Sequence, residues 1–142
     1  MTSDPDVAVV VDVLRAVERR DLDRLVALYH PEIEFFWPPG LPYSGTFRGA
    51  NVMQMSARYE ATWGPLQPDA QARSLGFRIV AKGDDGTVVV EYSIKGVDSK
   101  GHRFSTPTMA EYQVREGRFA SARMFYYDLP GMIAFLTQAR RP

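Results

Sequence analysis

The first half of the chain repeats apolar residues at the three- and four-residue spacing of an amphipathic helix. A first helix is predicted over residues 4–20, since Asp4 can cap it and Pro5 suits its first turn. Its apolar face carries Val7, Val10, Val11, Leu14 and Val17. Such a face is expected to pack against the rest of a core.

Two more helices and one strand are predicted before the middle of the chain. The second helix follows Asp21 and is expected to end at Pro31, because proline interrupts a helix. The alternating aromatic segment EIEFFW, residues 32–37, predicts a strand, and residues 38–49 form a proline- and glycine-rich loop. A third helix is expected over residues 50–63. Its inward face carries Val52, Met55, Tyr59 and Trp63.

The second half of the chain has the period of β-strands instead. Four strands are predicted over residues 72–83, 87–97, 102–116 and 118–128. The turn-forming segments GDDG, DSKG and REG separate them, which is typical of an antiparallel meander. Residues 129–140 are expected to form a short last helix. The order predicts an α+β fold in one domain, residues 1–142, whose curved antiparallel sheet wraps on the helices and encloses a cone-shaped cavity.

Composition and charge exclude several classes of function. The 17 basic and 17 acidic residues cancel, so nothing favours binding to nucleic acid or to an anionic membrane. The chain contains no cysteine, which excludes disulfides and thiolate chemistry. No segment approaches the roughly 20 apolar residues of a membrane span. The acidic start, whose apolar run is broken at Asp12, does not resemble a signal peptide. We expect a cytoplasmic protein.

Metal and cofactor chemistry has little support in the sequence. The two histidines, His30 and His102, are too few for a histidine-based metal site, and no carboxylates have recognisable metal-binding spacing. His30 lies in the helix-ending segment YHP and is expected to face solvent. We therefore expect neither a metal nor a cofactor.

Three segments carry a family resemblance: RRDLDRLVALYHPEIEFFWP, YSGTFRGANVM and YQVREGRFASARMFYYD. They are similar to the opening, the loop into the third helix and the last hairpin of SnoaL-like polyketide cyclases and ketosteroid isomerases. The resemblance covers nearly the whole chain and implies the nuclear transport factor 2-like fold, a cystatin-like α+β barrel. It also implies a homodimer that forms through the outer face of the sheet. Because this fold hosts many activities, the resemblance leaves the reaction open.

The catalytic residues of these relatives are largely replaced here. Ketosteroid isomerases have a general-base Asp at the end of the first strand, where this chain has Trp37. Their oxyanion-hole Tyr and Asp match positions near Val13 and Ala110, so the resemblance argues against their mechanism. SnoaL-like cyclases use an Asp at the end of the last strand, and Asp128 matches it. Their partner His again falls near Ala110.

Asp128 has two interpretations. Inside an aromatic cavity its carboxylate would be desolvated, and a raised pKa would make it a general base that works beside the hydroxyl of Tyr126. Alternatively, DLPG is a good helix start, in which Asp128 caps the last helix. The two roles are compatible, because a helix N-terminus would also hold the carboxylate in place.

Strand alternation predicts the walls of the cavity. Glu34, Glu91 and Glu111 should face outward if their neighbours face inward. The expected pocket residues are Trp37, Tyr59, Trp63, Val90, Tyr92, Thr108, Ala110, Tyr112 and Tyr127. Aromatic residues in this number are also ordinary core residues, and a mixture of both roles is expected.

Two functions remain open at this point. The first is a cyclase or isomerase that acts on an apolar polyketide-like or terpenoid-like intermediate, either by proton transfer at Asp128 or by folding the substrate into a reactive shape. The second is a binding module that holds an apolar small molecule in the same cavity without chemistry. A purely structural dimerisation domain ranks behind both, because it leaves the aromatic inner face unexplained.

Overall fold

The computed structural model describes residues 4–141 as an open sheet of six strands packed against helices. The helices are α1 (Pro5–Arg19), α2 (Leu22–Leu28), α3 (Val52–Trp63), α4 (Ala70–Arg73) and α5 (Leu129–Ala139). The strands are β1 (Tyr29–Trp37), β2 (Gly45–Arg48), β3 (Arg78–Lys82), β4 (Thr87–Val97), β5 (Arg103–Arg115) and β6 (Arg118–Tyr126). The α+β architecture predicted from the sequence is confirmed.

The helix boundaries follow from local capping chemistry. The Asp4 carboxylate accepts hydrogen bonds from the backbone N–H groups of Asp6 and Val7, which would otherwise lack partners at the start of α1. Asp21 caps α2 through the N–H of Arg24. The last turn of α1 ends at Arg20, whose backbone is left-handed, with φ 58° and ψ 35°.

The sheet has the strand order β2-β1-β6-β5-β4-β3. Strands β4 and β5 pair antiparallel along their whole length, with Val90 opposite Ala110 and Tyr92 opposite Thr108. Strand β1 pairs parallel with β6, and the helices and four other strands that lie between them in the chain provide the long connection that parallel pairing requires. This pairing brings the start of the chain against its last hairpin.

The concave face of the sheet carries the core. On β4 and β5 every second residue is buried, including Val88, Val90, Ala110 and Tyr112. Glu34 and Glu91 lie on the opposite face, where they pair with Arg48 and Arg78 across neighbouring strands, and Glu111 is also exposed. The inward and outward parity predicted from the strand alternation is therefore confirmed.

Several predicted boundaries are wrong. Helix α2 ends at Leu28 rather than at Pro31, since Tyr29 already belongs to β1. The predicted loop at 38–49 contains β2, which pairs with β1 from Glu34 to Trp37. Strand β3 begins at Arg78 rather than at residue 72, and the short helix α4 takes the preceding segment.

His30 is buried rather than solvent-facing. Its Nε2 lies 2.8 Å from a carboxylate oxygen of Glu116, and its Nδ1 accepts a hydrogen bond from the backbone N–H of Glu32. The ring therefore ties β1 to the turn between β5 and β6.

Within residues 4–141, none of the helices has the length and apolar character needed to cross a membrane.

Candidate active-site cavity

An apolar cavity of about 560 Å³ lies between the concave face of the sheet and the first three helices. Its walls come from α1, α2, α3, the segment before β3, and strands β1, β4, β5 and β6. The lining residues are Val13, Leu14, Val17, Arg20, Leu22, Leu25, Tyr29, Phe35, Trp37, Met53, Met55, Ser56, Ala57, Tyr59, Glu60, Leu75, Tyr92, Tyr112, Phe119 and Met124. This volume falls in the range of small-molecule pockets.

The cavity opens to solvent on the side of α2 and α3. Leu22, Met53, Ala57 and Glu60 line it and are also exposed to solvent, so the mouth lies between the start of α2 and the outer face of α3. The buried residues Tyr92 and Tyr112 and the ring of Phe119 form part of the wall on the sheet side. A ligand would therefore enter past α3 and lie against the aromatic surface of the sheet.

Four tyrosines supply the polar atoms of the inner wall. Among residues 4–141, the hydroxyls of Tyr29, Tyr59, Tyr92 and Tyr112 have no protein hydrogen-bond partner, and all four residues line the cavity. Burial raises the pKa of each of these hydroxyls above the ordinary tyrosine value. They therefore remain neutral at physiological pH, where each can donate a hydrogen bond to a ligand oxygen.

A separate group of tyrosine hydroxyls forms hydrogen bonds inside the core. The indole N–H of Trp63 donates to the hydroxyl of Tyr43 over 2.9 Å, and the hydroxyls of Tyr43 and Tyr126 lie 3.1 Å apart. Burial raises the pKa of Tyr43 to about 12 despite these two contacts. The predicted catalytic Tyr126 is thus bound to Tyr43 and is not part of the cavity wall.

Asp128 lies at the surface and caps α5. Its carboxylate accepts a hydrogen bond from the N–H of Gly131 over 2.9 Å, and its own N–H donates to the hydroxyl of Thr106. The side chain is exposed and does not line the cavity. This is the capping geometry that the sequence offered as the alternative to an acid or base.

The predicted pocket residues divide into three groups. Trp37, Tyr59, Tyr92 and Tyr112 line the cavity together. Trp63, Val90, Thr108 and Ala110 face inward but are buried in the solid core, where helix α5 packs on β5 and Trp63 stacks on Phe135. Tyr127 is 86% exposed, because it follows the last strand and points away from the core.

Besides the four tyrosine hydroxyls, two fully buried polar atoms in this region have no partner among the described residues. The Thr108 hydroxyl is fully buried beside Tyr92 and Tyr126 on the adjoining strands. The indole N–H of Trp37 is also buried, although the Trp37 ring lies on the cavity wall.

The charged residues of the cavity were missed by sequence reasoning. Arg20 and Glu60 stand at the mouth, with the Arg20 Nε 3.0 Å from a Glu60 carboxylate oxygen. The signal for Arg20 was its place at the end of α1, immediately before the helix cap Asp21, where glycine is usual.

Nothing in the Pro- and Gly-rich segment distinguished Tyr43 as a buried hydrogen-bond centre.

Across residues 4–141, no three His, Asp or Glu side chains come together in a way that could hold a metal ion.

Comparison with known proteins agrees with this architecture. The family model described as a SnoaL-like domain matches residues 10–122. No curated protein matches the chain by sequence. Solved structures match over nearly the whole chain at low identity.

One similar structure is that of TerC co-crystallised with polyporic acid, with a TM-score of 0.71 and 17% identity over 97% of this chain and 100% of that one. Another is an NTF2-like protein of unknown function from Burkholderia pseudomallei, with a TM-score of 0.74 and 21% identity over 94% and 98% of the two chains. A third is a proposed isomerase from Bacillus subtilis, with a TM-score of 0.70 and 17% identity over 92% of both chains. At these identities the structures show the fold alone, whereas the family model spans most of the sequence. The chain belongs to the SnoaL-like domain family.

Proposed function

We propose that the protein is a cyclase or isomerase for an apolar, oxygen-bearing small molecule of polyketide-like or terpenoid-like character. The cavity holds the substrate in a reactive shape, and phenolic hydroxyls donate hydrogen bonds to its oxygen atoms. Carboxylate acid/base chemistry at Asp128 has no part in this proposal.

The observation that carries the proposal is the chemistry of the cavity wall. Its inner surface is apolar and aromatic, and its polar atoms include four neutral phenols without protein partners among residues 4–141. Within the same residues one carboxylate, that of Glu60, lines the cavity, and it lies at the solvent-exposed mouth and pairs with Arg20. A wall of this kind suits reactions whose barrier falls when a flexible substrate is held correctly and its carbonyl oxygen is hydrogen-bonded.

The family supplies independent support for a small-molecule ligand. The chain belongs to the SnoaL-like domain family, and the similar protein TerC was crystallised with polyporic acid. We infer that the present cavity also takes a small organic molecule.

A non-catalytic binding module is the second candidate. The same absence of an inward carboxylate favours it, because a cavity that only holds a ligand needs no proton donor or acceptor of matched pKa. The two candidates share the ligand site and differ in whether product forms.

Ligand entry can be tested at the mouth with a matched pair of variants. Ala57 and Ala61 are both exposed on α3, and Ala57 lines the cavity whereas Ala61 does not. The probe is N-phenylnaphthylamine, a neutral apolar fluorophore that brightens in a dry site. We expect Ala57→Trp to abolish its enhanced fluorescence and Ala61→Trp to leave it unchanged. Equal binding to both variants would place the ligand elsewhere.

Catalysis can then be separated from binding. A panel of linear polyketide-like and terpenoid-like carbonyl compounds would be incubated with wild type and with Tyr92→Phe and Tyr112→Phe, and products followed by mass spectrometry. Loss of one donor that stabilises a developing oxyanion lowers kcat by about 10²–10³-fold in other enzymes, and we expect a loss of this order at one of these tyrosines. Probe binding without conversion of any compound would support the binding module instead.

Assembly and location remain proposals. By likeness to the family, we propose a homodimer through the outer face of the sheet, where Met109 and Phe125 are cross-strand neighbours and both exposed. Sedimentation velocity of wild type and of Phe125→Lys tests this dimer, and a monomeric wild type would contradict it.

A cytoplasmic location stays a prediction, which cell fractionation would check.

A further inference from the structure

Among the residues that the structure describes, the mouth of the cavity carries one basic side chain, that of Arg20. Among the lining residues, Arg20 and Glu60 are the charged ones, and the rest are aliphatic, aromatic or small. The Arg20 side chain is 23% exposed, so its guanidinium lies between the solvent and the apolar interior. A ligand that fills the cavity would have one end beside this group.

Arg20 is held in place from the protein side. One Nη2 N–H donates to the side-chain oxygen of Gln67, a residue that is only 4% exposed. The amide nitrogen of Gln67 in turn donates to the carbonyl of Lys95 on β4, which orients the Gln67 oxygen toward Arg20. The guanidinium is therefore positioned by a buried relay and is not a freely moving surface group.

The backbone of Arg20 also points to a role beyond closing α1. Its N–H and that of Asp21 close the helix onto the carbonyls of Val17 and Ala16, in the arrangement where the left-handed position is usually glycine. An arginine in this strained conformation projects its side chain over the cavity, which glycine could not do. Strain of this kind is found at functional positions.

The ion pair between Glu60 and Arg20 is weak. The Glu60 side chain is 53% exposed, and ion pairs of such exposed groups contribute little. Both N–H groups of Nη1 and the second N–H of Nη2 have no protein partner within residues 4–141. Two oxygens of an incoming carboxylate or sulfonate can thus accept parallel hydrogen bonds from Arg20, and Glu60 can turn to solvent.

From this geometry we infer that the natural ligand is an amphiphile with an apolar body and one ionised oxygen group, and that Arg20 binds this group at the cavity mouth as the residue that sets specificity. The inference rests on the proposed function, because it assigns a substrate class to the same cavity. The anionic end lies at Arg20, and the body extends toward the tyrosines of the sheet.

A pair of fluorescent probes with the same body tests this assignment. N-phenylnaphthylamine is neutral, and anilinonaphthalene sulfonate adds one anionic oxygen group to that skeleton. The measured quantity is the ratio of their affinities, which cancels effects on the apolar part of the site. We expect Arg20→Gln to lower the sulfonate-to-neutral affinity ratio by about tenfold or more, the usual size for a hydrogen bond to a charged group. Glu60→Gln should raise the ratio, because it removes a competing carboxylate.

Arg19→Gln is the matched control. Arg19 is the adjacent arginine at the same helix end, but it is exposed and does not line the cavity. Its substitution should leave the ratio unchanged, which separates a specific contact from a general loss of positive charge. Added salt should lower the ratio for wild type and have little effect on Arg20→Gln.

The outcomes distinguish this inference from the proposed function. Normal binding of both probes with an unchanged ratio in Arg20→Gln overturns the role of Arg20 and leaves the apolar cavity site standing. Failure of wild type to bind either probe overturns both. A ratio that falls equally in Arg19→Gln and Arg20→Gln also contradicts the inference, since it would show a diffuse charge effect.

Discussion

At the scale of single residues, the tyrosine hydroxyls fall into two functional groups that the sequence does not distinguish. Tyr43 and Tyr126 bond to each other inside the core, and Tyr43 also accepts the indole N–H of Trp63. Tyr92 and Tyr112 are equally well buried, yet their hydroxyls border the cavity without protein partners. The first group holds the fold together, whereas the second is available to a ligand.

Removal of the Tyr43 hydroxyl should therefore destabilise the protein. Tyr43→Phe leaves the Trp63 N–H and the Tyr126 hydroxyl buried without this partner, and each such group costs about 1–3 kcal/mol. We expect the free energy of unfolding, measured in urea, to fall by an amount in this range or larger.

Tyr112→Phe and Tyr127→Phe serve as controls for that measurement. The Tyr112 hydroxyl has no hydrogen-bond partner to lose among the described residues, and Tyr127 is exposed. Both variants should unfold close to wild type. A Tyr43→Phe protein as stable as these controls would contradict the role of the hydrogen-bonded group.

At the scale of elements, the junction of β6 and α5 decides the role of Asp128. The chain leaves the sheet at Tyr126, and the N–H of Asp128 bonds to the hydroxyl of Thr106 on β5. This contact turns the carboxylate toward the first turn of α5, where it accepts the N–H of Gly131. Asp128, which matches a catalytic position of the SnoaL-like cyclases, thus serves here as the N-cap of α5.

Substitutions of Asp128 should affect stability and leave the cavity unchanged. Replacement of an N-cap by alanine typically costs about 0.5–2 kcal/mol, while asparagine caps as well as aspartate does. We expect Asp128→Ala to lower the free energy of unfolding in this range and Asp128→Asn to remain near wild type. Both should bind N-phenylnaphthylamine normally. If Asp128→Asn instead lost conversion of a substrate while folding normally, the carboxylate would be catalytic after all.

At the scale of the whole molecule, burial of six tyrosine hydroxyls among the described residues makes the free energy of unfolding depend on pH in the alkaline range. Burial raises the pKa of Tyr43 to about 12 and raises the pKa values of Tyr29, Tyr59, Tyr92, Tyr112 and Tyr126 as well. An unfolded chain ionises its tyrosines near pH 10, at about the usual value. Above that pH the unfolded state has lost protons that the folded state still holds, so unfolding becomes more favourable.

The free energy of unfolding should therefore decline as the pH rises above about 10. Below about pH 9 the buried tyrosines should cause no such decline, because they are neutral in both the folded and the unfolded state. Each buried phenol lowers the free energy of unfolding by about 1.4 kcal/mol per pH unit between the pKa values of its unfolded and folded states. Tyr92→Phe removes one such group, so its decline should be shallower by about that amount. Denaturation in urea at stepped pH measures this slope. Tyrosinate absorbance equivalent to several tyrosines, rising while circular dichroism stays native, would contradict the prediction.

Much of the fold could be predicted because it depends on local signals. Asp4 and Pro5 start α1, and strand β4 occupies the predicted residues 87–97 because turn-forming segments bound it on both sides. The missed strand β2 is short and lies at the edge of the sheet, and its extended shape comes from pairing with β1. His30 was expected to face solvent because of its place in the helix-ending segment YHP, and no local signal indicated its contact with Glu116, which is distant in the chain.

The order of the main helices and strands, the inward parity of Trp37, Tyr92 and Tyr112, and the family could be predicted from residue type and spacing along the chain, whereas the short elements β2 and α4 could not. Which of the inward residues border the cavity depends instead on tertiary packing. Ala110 and Tyr112 face the same side of one strand, yet Ala110 belongs to the solid core and Tyr112 to the cavity. The reason is that side-chain periodicity specifies the face of a strand, whereas a cavity depends on where helices from distant parts of the chain leave that face uncovered. The same packing brought Arg20 to the mouth and left Asp128 outside.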